Sequence, residues 1–487
     1  MNLIINGFHH KTFFPSLLKI LKHFNVSYAH FTYTETKLSV PSKINASFHQ
    51  VHDLATGNYK IDWKEITPLD EKLIRSMNGC EVDVLKMMDR HSLSIELPLT
   101  YDERKNIYLK HLRYWNYIIE KNKIDLFISS SIPHETYDFI IYSLCKLKKI
   151  PTIFLHQTNI LDTIFMMDDL NFNSSRIKNK YQELLKKYKF STKKKIILAE
   201  RFQKDFDLNT TKNKSMRTEM LRKKPSLSIG NNLISLLANV QASRFLTVIK
   251  TPDFLIQGIA NHFNYITRLR TGKKIAKFYS RNTIKTNLTN KYIYFPLHLQ
   301  PEASTSPMAG AFVNQILIAQ MIAYYLPKDI YIYIKENPHQ NMMRRSMQFY
   351  KELLQIPQVR FVPTSFNTYD LIDHSLAVAT ATGTAGLEAL YRCKSVLMFG
   401  HNYYQYAKGI FLIKNNLDCQ RALNKIIFKN VRPKTEDIKL FLKSLESNTT
   451  EGYIDVNYKK YTHISEKINN ENIFKDLSKK IDFYFNS

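Results

Sequence analysis

The stretch that decides the fold is Ser375–Gly400, with the sequence SLAVATATGTAGLEALYRCKSVLMFG. Its pattern predicts a buried strand over Ser375–Thr382, a turn at Gly383, a helix that opens at Thr384–Gly386 and a second buried strand over Ser395–Phe399. A strand, turn, helix and strand in this order are typical of a parallel sheet with helices on its faces.

The turn between the first strand and the helix is built from small residues. They are Thr382, Gly383, Thr384, Ala385 and Gly386. Without bulky side chains, the backbone N–H groups at the helix start can approach a phosphate, and the helix dipole favours its negative charge. Glu388, one turn later, is placed to accept hydrogen bonds from sugar or ribose hydroxyls. The alternative is that the glycines serve only tight packing.

Strands alternate with helices on the amino-terminal side of this stretch as well. We predict strands over Tyr292–Leu297, Asp329–Ile334 and Val359–Val362. Polar loops follow the first two of these strands and carry His298, Gln300, Glu302 and Ser304, then Lys335, Asn337 and His339. Because the carboxyl ends of parallel strands meet at one edge of a sheet, these loops and the glycine turn are expected to form one pocket.

The first part of the chain shows the same alternation. Residues 2–5 and the ranges Val26–Tyr33, Ile124–Ser130 and Thr152–Leu155 are predicted strands. Polar residues follow the last two, namely His134 and Glu135, then His156 and Gln157. They are expected to share a crevice at the strand ends. The alternative is that they cap helices and bind loop backbone.

Two adjacent acids, Asp168 and Asp169, come after an apolar run. Such a pair can supply a general base, a nucleophile or a metal ligand. It can equally be an ordinary solvated turn. The sequence does not choose between the two acids.

Length and composition indicate a globular chain of several domains. The 487 residues contain 44% hydrophobic residues, only 12 glycines and four well-separated cysteines. The cysteine spacing argues against a zinc site or a disulfide framework. We predict an α/β fold with two Rossmann-like domains: residues 1–175, a lysine-rich helical insertion at 176–288, a second α/β domain at 289–415, and terminal helices at 416–487.

The formal net charge is +28. Three explanations are open. The charge can reflect a lysine-rich genome, binding of basic helices to an anionic membrane surface or, third, binding to nucleic acid. The predicted helices Asn231–Lys250 and Phe254–Ser280 mix aromatic and basic residues, as interfacial helices do. No apolar run is long enough to span a membrane and no signal peptide is visible, so a cytoplasmic protein, peripheral on the inner membrane, is expected.

Several segments together resemble bacterial capsule polysaccharide biosynthesis proteins, a family that includes the Kdo transferases. The segments are FPLHLQPEAST at 295–305, YIKENPHQ at 333–340, a helix with Arg344, Arg345, Phe349 and Tyr350, TATGTAGLEALYRCKSVLMFG at 380–400 followed by Tyr403 and Tyr404, and SSSIPHETYDFIIYSLCKLKKIPTIFLHQTN at 129–159. The resemblance covers roughly residues 124–172 and 291–405.

This resemblance implies a GT-B fold and transfer of a sugar from a nucleotide donor, often a CMP-sugar, without an obligatory metal. Matching positions are Lys335, Glu336, Pro338, Thr382, Gly383, Thr384 and Glu388. Where the family has a histidine beside the nucleotide phosphate, this chain has Asn337, with a histidine only at His339. The family also implies an acid of the first domain as nucleophile or base, here Asp168 or Asp169. His156 and Glu302 are further catalytic candidates.

The predicted function is therefore a glycosyltransferase of surface-polysaccharide assembly. Its expected partners are a nucleotide sugar, a glycan or glycolipid acceptor and an anionic membrane surface, with no nucleic acid and no cofactor. Two rivals remain open: a sugar-nucleotide epimerase on the same fold, and a basic scaffold without enzymatic activity that binds polyanions.

Overall fold

The computed structural model describes residues 1–32, 39–49, 51–93, 99–189, 195–211, 252–340 and 342–485. Its strands, in chain order, are β1 (Asn2–Asn6), β2 (Tyr28–Thr32), β3 (Asn45–Phe48), β4 (Leu126–Ser129), β5 (Thr152–Gln157), β6 (Thr163–Met167), β7 (Tyr292–Pro296), β8 (Tyr331–Lys335), β9 (Val359–Val362), β10 (Ala377–Thr380), β11 (Ser395–Met398), β12 (Ile410–Leu412) and β13 (Thr450–Glu451).

Helices connect most of these strands. The α-helices are Phe14–His23, Val51–Thr56, Glu71–Ser76, Asn78–Met87, Tyr101–Lys121, Thr136–Leu147, Ser175–Lys189, Glu200–Thr210, Pro252–Arg281, Ile316–Tyr325, Met347–Leu354, Thr368–His374, Thr384–Tyr391, Asn416–Ile427, Thr435–Glu446 and Glu466–Phe485. Short 3₁₀ helices occur at Met88–Leu93, Gly310–Val313, Met342–Arg344 and Val456–Lys460.

The strands form two sheets. The first has seven strands in the order β13-β6-β5-β4-β1-β2-β3, and the second has six in the order β12-β11-β10-β7-β8-β9. All neighbours in the second sheet are parallel, whereas β6 runs antiparallel to both β5 and β13 in the first. Two parallel-rich sheets with helices between the strands confirm the predicted α/β fold class.

Near-continuous apolar runs explain why the central strands are parallel and buried on both faces. Every residue of β4 and β10 is buried, and four of the five residues of β1 are buried. The predicted strands in both halves are present, with ends one to three residues shorter in several cases. The predicted Ser375–Thr382 strand, for example, is β10, and its helix begins at Thr384 as expected.

The end of the chain returns to the first sheet. Strand β13 pairs with β6, and the helix Glu466–Phe485 packs against the helix Phe14–His23, with Ile473, Leu477 and Ile481 in the same apolar core as β1. The chain thus passes from the second sheet back to the first, and its last residues complete the core of the first domain.

The predicted insertion is described only in part. Its helices Ser175–Lys189, Glu200–Thr210 and Pro252–Arg281 are present, whereas the predicted helix Asn231–Lys250 lies outside the described residues. Within the described segments, no helix is both long and apolar enough to cross a membrane.

A buried cluster of histidines and aromatic residues supports β2 and β3. His30 Nδ1 lies 2.9 Å from the Tyr28 hydroxyl, and His49 Nε2 lies 2.7 Å from the Tyr114 hydroxyl. Burial lowers the pKa of His49 to about 4 and that of His30 well below its ordinary value. Both rings are therefore neutral at pH 7.

This cluster predicts acid-labile stability. The unfolded chain binds protons at these histidines below pH 6.5 while the folded chain does not, so the free energy of unfolding falls between pH 6.5 and about 4. For His49 the loss is about 3 kcal/mol. Denaturant unfolding at pH 7, 5.5 and 4.5 measures it, and His49→Gln should flatten the profile by that amount. An identical pH profile in both proteins would contradict the prediction.

Candidate functional site

The second sheet has its topological switch point between β7 and β10. Strand β7 lies beside β10 on one side and β8 on the other, so the loops after β7 and β10 diverge from one point. In open α/β sheets this is where ligands bind, at the carboxyl ends of the strands.

His298 joins the loops after β7 and β10. Its Nε2 accepts the Thr382 amide at 3.2 Å and lies 3.1 Å from Thr380 Oγ1, whose oxygen in turn accepts the Gly383 amide at 2.8 Å. Burial lowers the pKa of His298 to about 4, so the ring is neutral, with its proton on Nδ1. His298 therefore has a structural role: its hydrogen bonds fix the conformation of the glycine turn.

Two further bonds shape the same turn. Thr382 Oγ1 donates to the Ser304 carbonyl at 2.5 Å, and Asn402 Nδ2 donates to the Thr382 carbonyl at 2.7 Å. Ser304 Oγ donates to Glu302 Oε2 at 2.6 Å. The structure thus brings the polar loop after β7 into direct contact with the glycine turn.

The helix Thr384–Tyr391, called here the Gly383 helix after its N-cap, begins at this turn. Gly383, Thr384 and Ala385 are partly exposed. The amides of Thr382 and Gly383 are already bonded, and that of Gly386 reaches the Gly383 carbonyl at 3.2 Å. Because first-turn amides lack intrahelical acceptors, those of Thr384 and Ala385 are the ones that can hold a phosphate.

A buried ion pair fixes the loop after β8. Arg345 Nε donates to Glu336 Oε2 at 3.1 Å, and Arg345 Nη2 donates to the His298 carbonyl at 2.7 Å. The Tyr350 hydroxyl donates to the same carboxylate at 2.5 Å. Arg345 therefore ties the loops after β7 and β8 together. The sequence marked Arg345 only as part of the family resemblance and assigned it no role.

Glutamine pairing completes the link between these two loops. The Gln300 amide donates to Gln340 Oε1 at 2.9 Å, and Gln340 Nε2 donates back to the Gln300 carbonyl at 2.9 Å. Gln315 Nε2 donates to Gln300 Oε1 at 3.3 Å. Gln300 thus serves the internal structure of the pocket, and neither partner carried a sequence signal.

Lys335 is the last residue of β8 and is buried. Its ammonium donates to the Phe366 carbonyl at 2.6 Å and to Thr368 Oγ1 at 2.8 Å. Burial lowers the pKa of Lys335 to about 8, against the opposing influence of Glu388. Lys335 therefore braces the loop after β9, and its charge acts on Glu388.

The two other residues of the predicted second loop form a turn. The Asn337 amide donates to Glu336 Oε1 at 2.7 Å, and the His339 amide donates to Asn337 Oδ1 at 2.9 Å. His339 is exposed at this turn. Lys335 and His339 are the sequence candidates for the cation that offsets the charge of the leaving group, and that role stays a prediction.

The first sheet has its own switch point, between β1 and β4. Asn6 Nδ2 donates to Ser129 Oγ at 3.0 Å and to Asp138 Oδ2 at 3.2 Å. Gly7 has φ +73, and an added Cβ would lie 1.9 Å from Ser130 Oγ, so only glycine fits there. Burial raises the pKa of Asp138 well above its ordinary value. Sequence reasoning missed this site, although the Asn6-Gly7 step after a first strand was visible.

Arg90 crosses from the first domain to the second. Its Nη2 donates to the Ser306 carbonyl, in the loop after β7. Burial lowers the pKa of its guanidinium, against the charges of Glu135, Asp138 and Glu302. One cation therefore lies among carboxylates of both domains.

His134 and Glu135 lie near Arg90. His134 Nε2 lies 3.7 Å from Glu135 Oε1, and its Nδ1 donates to the Ile132 carbonyl at 2.5 Å. Burial lowers the pKa of His134, while the charges of Glu135 and Glu302 raise it. Glu135 is the N-cap of the helix Thr136–Leu147, but its side chain makes no capping bond, and it is 39% exposed. We call Arg90, His134, Glu135, Asp138 and Glu302 the cleft cluster.

The structure does not bring Asp168 and Asp169 to this cleft. They follow β6, which runs antiparallel to β5, so they lie at the edge where the parallel strands begin. Thr152 Oγ1, in the first residue of β5, donates to the Asp168 carbonyl at 2.7 Å. This corrects the expectation that one of these acids takes part in transfer: the reversed strand direction places them at the opposite edge of the sheet.

His156 and Gln157 do follow β5 at the carboxyl edge, but their contacts are structural. The His156 ring lies 6.2 Å from that of Tyr403 in the second domain, measured between centroids. Gln157 Oε1 accepts the Ile454 amide at 2.9 Å, and its Nε2 donates to the Thr163 carbonyl at 3.3 Å. His156 thus packs at the junction of the domains, and Gln157 binds backbone, as the alternative interpretation expected.

A known protein family matches the part of the chain that contains the loops after β7, β8 and β10. Residues 238–443 match the family described as capsule polysaccharide biosynthesis protein. The resemblance predicted from the sequence is confirmed over that range. No curated protein gives a significant match.

Solved structures similar to this chain include three sugar-processing enzymes. The β-Kdo 2,7 transferase KpsC of Thermosulfurimonas dismutans has 12% identity and a TM-score of 0.30, over 77% of this chain and 90% of that one. The UDP-GlcNAc 2-epimerase of Methanocaldococcus jannaschii has 10% identity and a TM-score of 0.25, over 92% and 99%. A UDP-forming trehalose-phosphate synthase of Burkholderia xenovorans has 8% identity and a TM-score of 0.30, over 97% and 99%.

Proposed function

We propose that this protein is a glycosyltransferase of capsule polysaccharide biosynthesis, which takes its sugar from a nucleotide donor. The observation that carries the proposal is Arg90. It bonds to the Ser306 carbonyl after β7, while the charges of Glu135, after β4, and Glu302, after β7, act on it, so residues from the switch points of both sheets surround one cation. Transfer between a donor and an acceptor requires two neighbouring sites from which water is excluded, and a cleft between two domains supplies them.

The donor site is the start of the Gly383 helix. The amides of Thr384 and Ala385 bind the phosphate of the nucleotide, and the helix dipole stabilises the charge that develops when the nucleotide leaves. Glu388, one turn further, accepts hydrogen bonds from ribose or sugar hydroxyls. Its negative charge acts on the buried Lys335 and opposes the lowering of that lysine's pKa by burial.

The chemical step uses carboxylates of the cleft cluster. An acceptor hydroxyl attacks the anomeric carbon, the bond from that carbon to the donor's phosphate oxygen breaks, and the nucleotide leaves with the electron pair. Glu135 takes the proton of the attacking hydroxyl as general base, because its carboxylate is partly exposed and free of capping bonds. Glu302, bonded to Ser304, faces it from the second domain and stabilises positive charge at the anomeric carbon.

The donor is expected to be a CMP-sugar such as CMP-Kdo or another nonulosonic acid, with a UDP-sugar as the alternative. The CMP-sugar is expected from the family resemblance. Because Asn337 stands where the family has a histidine, this position favours neither cytosine nor uracil as the nucleobase of the donor. The acceptor is a growing surface polysaccharide or a lipid-linked glycan. The excess of 70 Lys and Arg over 42 Asp and Glu supports a position on an anionic inner membrane face.

A thermal-shift screen against CMP-, UDP- and GDP-sugars tests the proposal. A donor at 100 times its Kd should stabilise the protein by about 2.7 kcal/mol. If no nucleotide sugar shifts the melting temperature, the proposal fails. Incubation of the protein with its best donor, without an acceptor, distinguishes a transferase from a sugar-nucleotide epimerase. Conversion of the donor to a stereoisomer would identify an epimerase.

Replacement of Glu388 by alanine should weaken donor binding about tenfold, or about 1.4 kcal/mol, because the hydroxyl acceptor is lost. Glu436→Ala is the matched control, since Glu436 is an exposed carboxylate in the first turn of another helix. Calorimetric titration of both variants with the donor measures the effect. Equal donor affinities would remove Glu388 from the site.

A further inference from the structure

A second cleft, of about 390 Å³, opens beside β6 at the edge of the first sheet where the parallel strands begin. Its walls come from residues 165–176, 447–450 and 476–483. We call it the β6 cleft. Its size lies within the range of about 300–1,000 Å³ that is usual for small-molecule sites. It contains the two acids that the transfer site does not use.

Charges in the β6 cleft balance. Three carboxylates and three cations line it: Asp168, Asp169 and Asp476, with Arg176, Lys479 and Lys480. Asp168 Oδ2 accepts Lys480 Nζ at 3.1 Å and the Tyr484 hydroxyl at 3.0 Å. Asp169 Oδ1 accepts the amides of Asn171 and Asn173 at 2.8 and 3.3 Å. The carboxylates of Asp168 and Asp169 are thereby held in fixed orientations.

An aromatic wall stands beside these polar groups. Phe483 is 55% exposed, and the Arg176 guanidinium lies 5.4 Å from its ring centroid. Phe172 and Met167 form a buried apolar floor. An exposed phenyl ring of this kind offers apolar contact area that solvent does not stabilise.

Balanced charges beside an exposed aromatic ring favour a neutral ligand with many hydroxyl groups. A phosphate or a nucleotide would meet three carboxylates, which cancel the attraction of the three cations. Hydroxyl groups donate to carboxylates and accept from ammonium and guanidinium groups, so they satisfy both signs of charge. A polyhydroxylated chain also has apolar C–H faces for Phe483. We infer that the β6 cleft binds a segment of the glycan acceptor, an inference that rests on the proposed transferase function.

The position of the cleft gives the inference a distinctive consequence. It lies at the opposite edge of the first sheet from the cleft cluster, and the six residues of β5 span about 20 Å. Only an acceptor of several sugars can occupy both places at once. Binding in the β6 cleft should therefore favour long acceptors over short ones.

The experiment uses the full chain and oligosaccharides of two, four and eight sugars, fractionated from the capsular polysaccharide of the source strain. Saturation-transfer NMR without any nucleotide should detect binding of the octasaccharide. Phe483→Ala should weaken that binding at least fivefold and raise KM for the octasaccharide, with little change in KM for the disaccharide. Phe428→Ala is the control, because Phe428 is also an exposed phenylalanine, at 72% against 55% for Phe483, and does not line the cleft.

The possible failures are distinguishable. Equal octasaccharide affinities for Phe483→Ala and Phe428→Ala, or no octasaccharide binding by the unmodified protein, would overturn the inference. Neither result touches the donor site, which the nucleotide-sugar screen tests separately. Octasaccharide binding without donor binding would retain the β6 cleft as a glycan site and overturn the proposed transferase.

Discussion

Replacement of Glu135 by glutamine is expected to lower kcat for sugar transfer by about 10²–10⁴-fold, the usual effect of losing a general base. Glutamine has nearly the same shape but cannot accept the proton of the acceptor hydroxyl. Glu135 makes no capping bond, and its charge acts on His134, Arg90 and Asp138. Donor affinity should stay within about twofold, because the amides that hold the phosphate belong to the other domain.

Glu200→Gln is the control for this substitution. Glu200 is the first residue of the helix Glu200–Thr210, is exposed, and is not a member of the cleft cluster. Steady-state transfer rates and donor titrations of the two variants should differ only in kcat. A Glu135→Gln enzyme with normal kcat would exclude Glu135 as the base, and one with lost donor affinity would assign it to binding instead.

The second domain was largely predictable from its sequence. Its strands are continuous apolar runs with polar loops behind them, and parallel pairing sends those loops to one edge. The structure accordingly connects Gln300, Ser304, Thr382 and Gly383 through His298, Gln315 and direct bonds. What the pattern did not show is which polar groups remain open to a ligand, because His298 and Gln300 are used internally.

The first domain was harder to predict because its site depends on contacts between distant segments. Arg90 lies in a 3₁₀ helix of a region without clear periodicity, and it meets Ser306 across more than two hundred residues of chain. The direction of β6 was also hidden, since an apolar strand reads the same in either direction. That single reversal moves Asp168 from the expected active site to the β6 cleft.

Valine in place of Gly383 should weaken donor binding about 10- to 100-fold. A Cβ at this position would lie 2.8 Å from His298 Nε2 and 3.0 Å from Thr380 Oγ1, both of which are bonded within the turn. The ring of His298 is buried and cannot move freely, so the strain of about 1–3 kcal/mol displaces the turn and the amides of Thr384 and Ala385 with it.

Gly79→Val isolates this effect from the general cost of valine in place of glycine. Gly79 is an exposed residue of the helix Asn78–Met87, and an added Cβ there meets nothing within 4 Å. Thermal unfolding of both variants shows whether they fold, and titration with the nucleotide sugar measures affinity. If a folded Gly383→Val protein binds its donor as tightly as Gly79→Val, the phosphate does not lie at the start of the Gly383 helix. The nucleotide would then have to be sought at the switch point of the first sheet, beside Asn6 and Asp138.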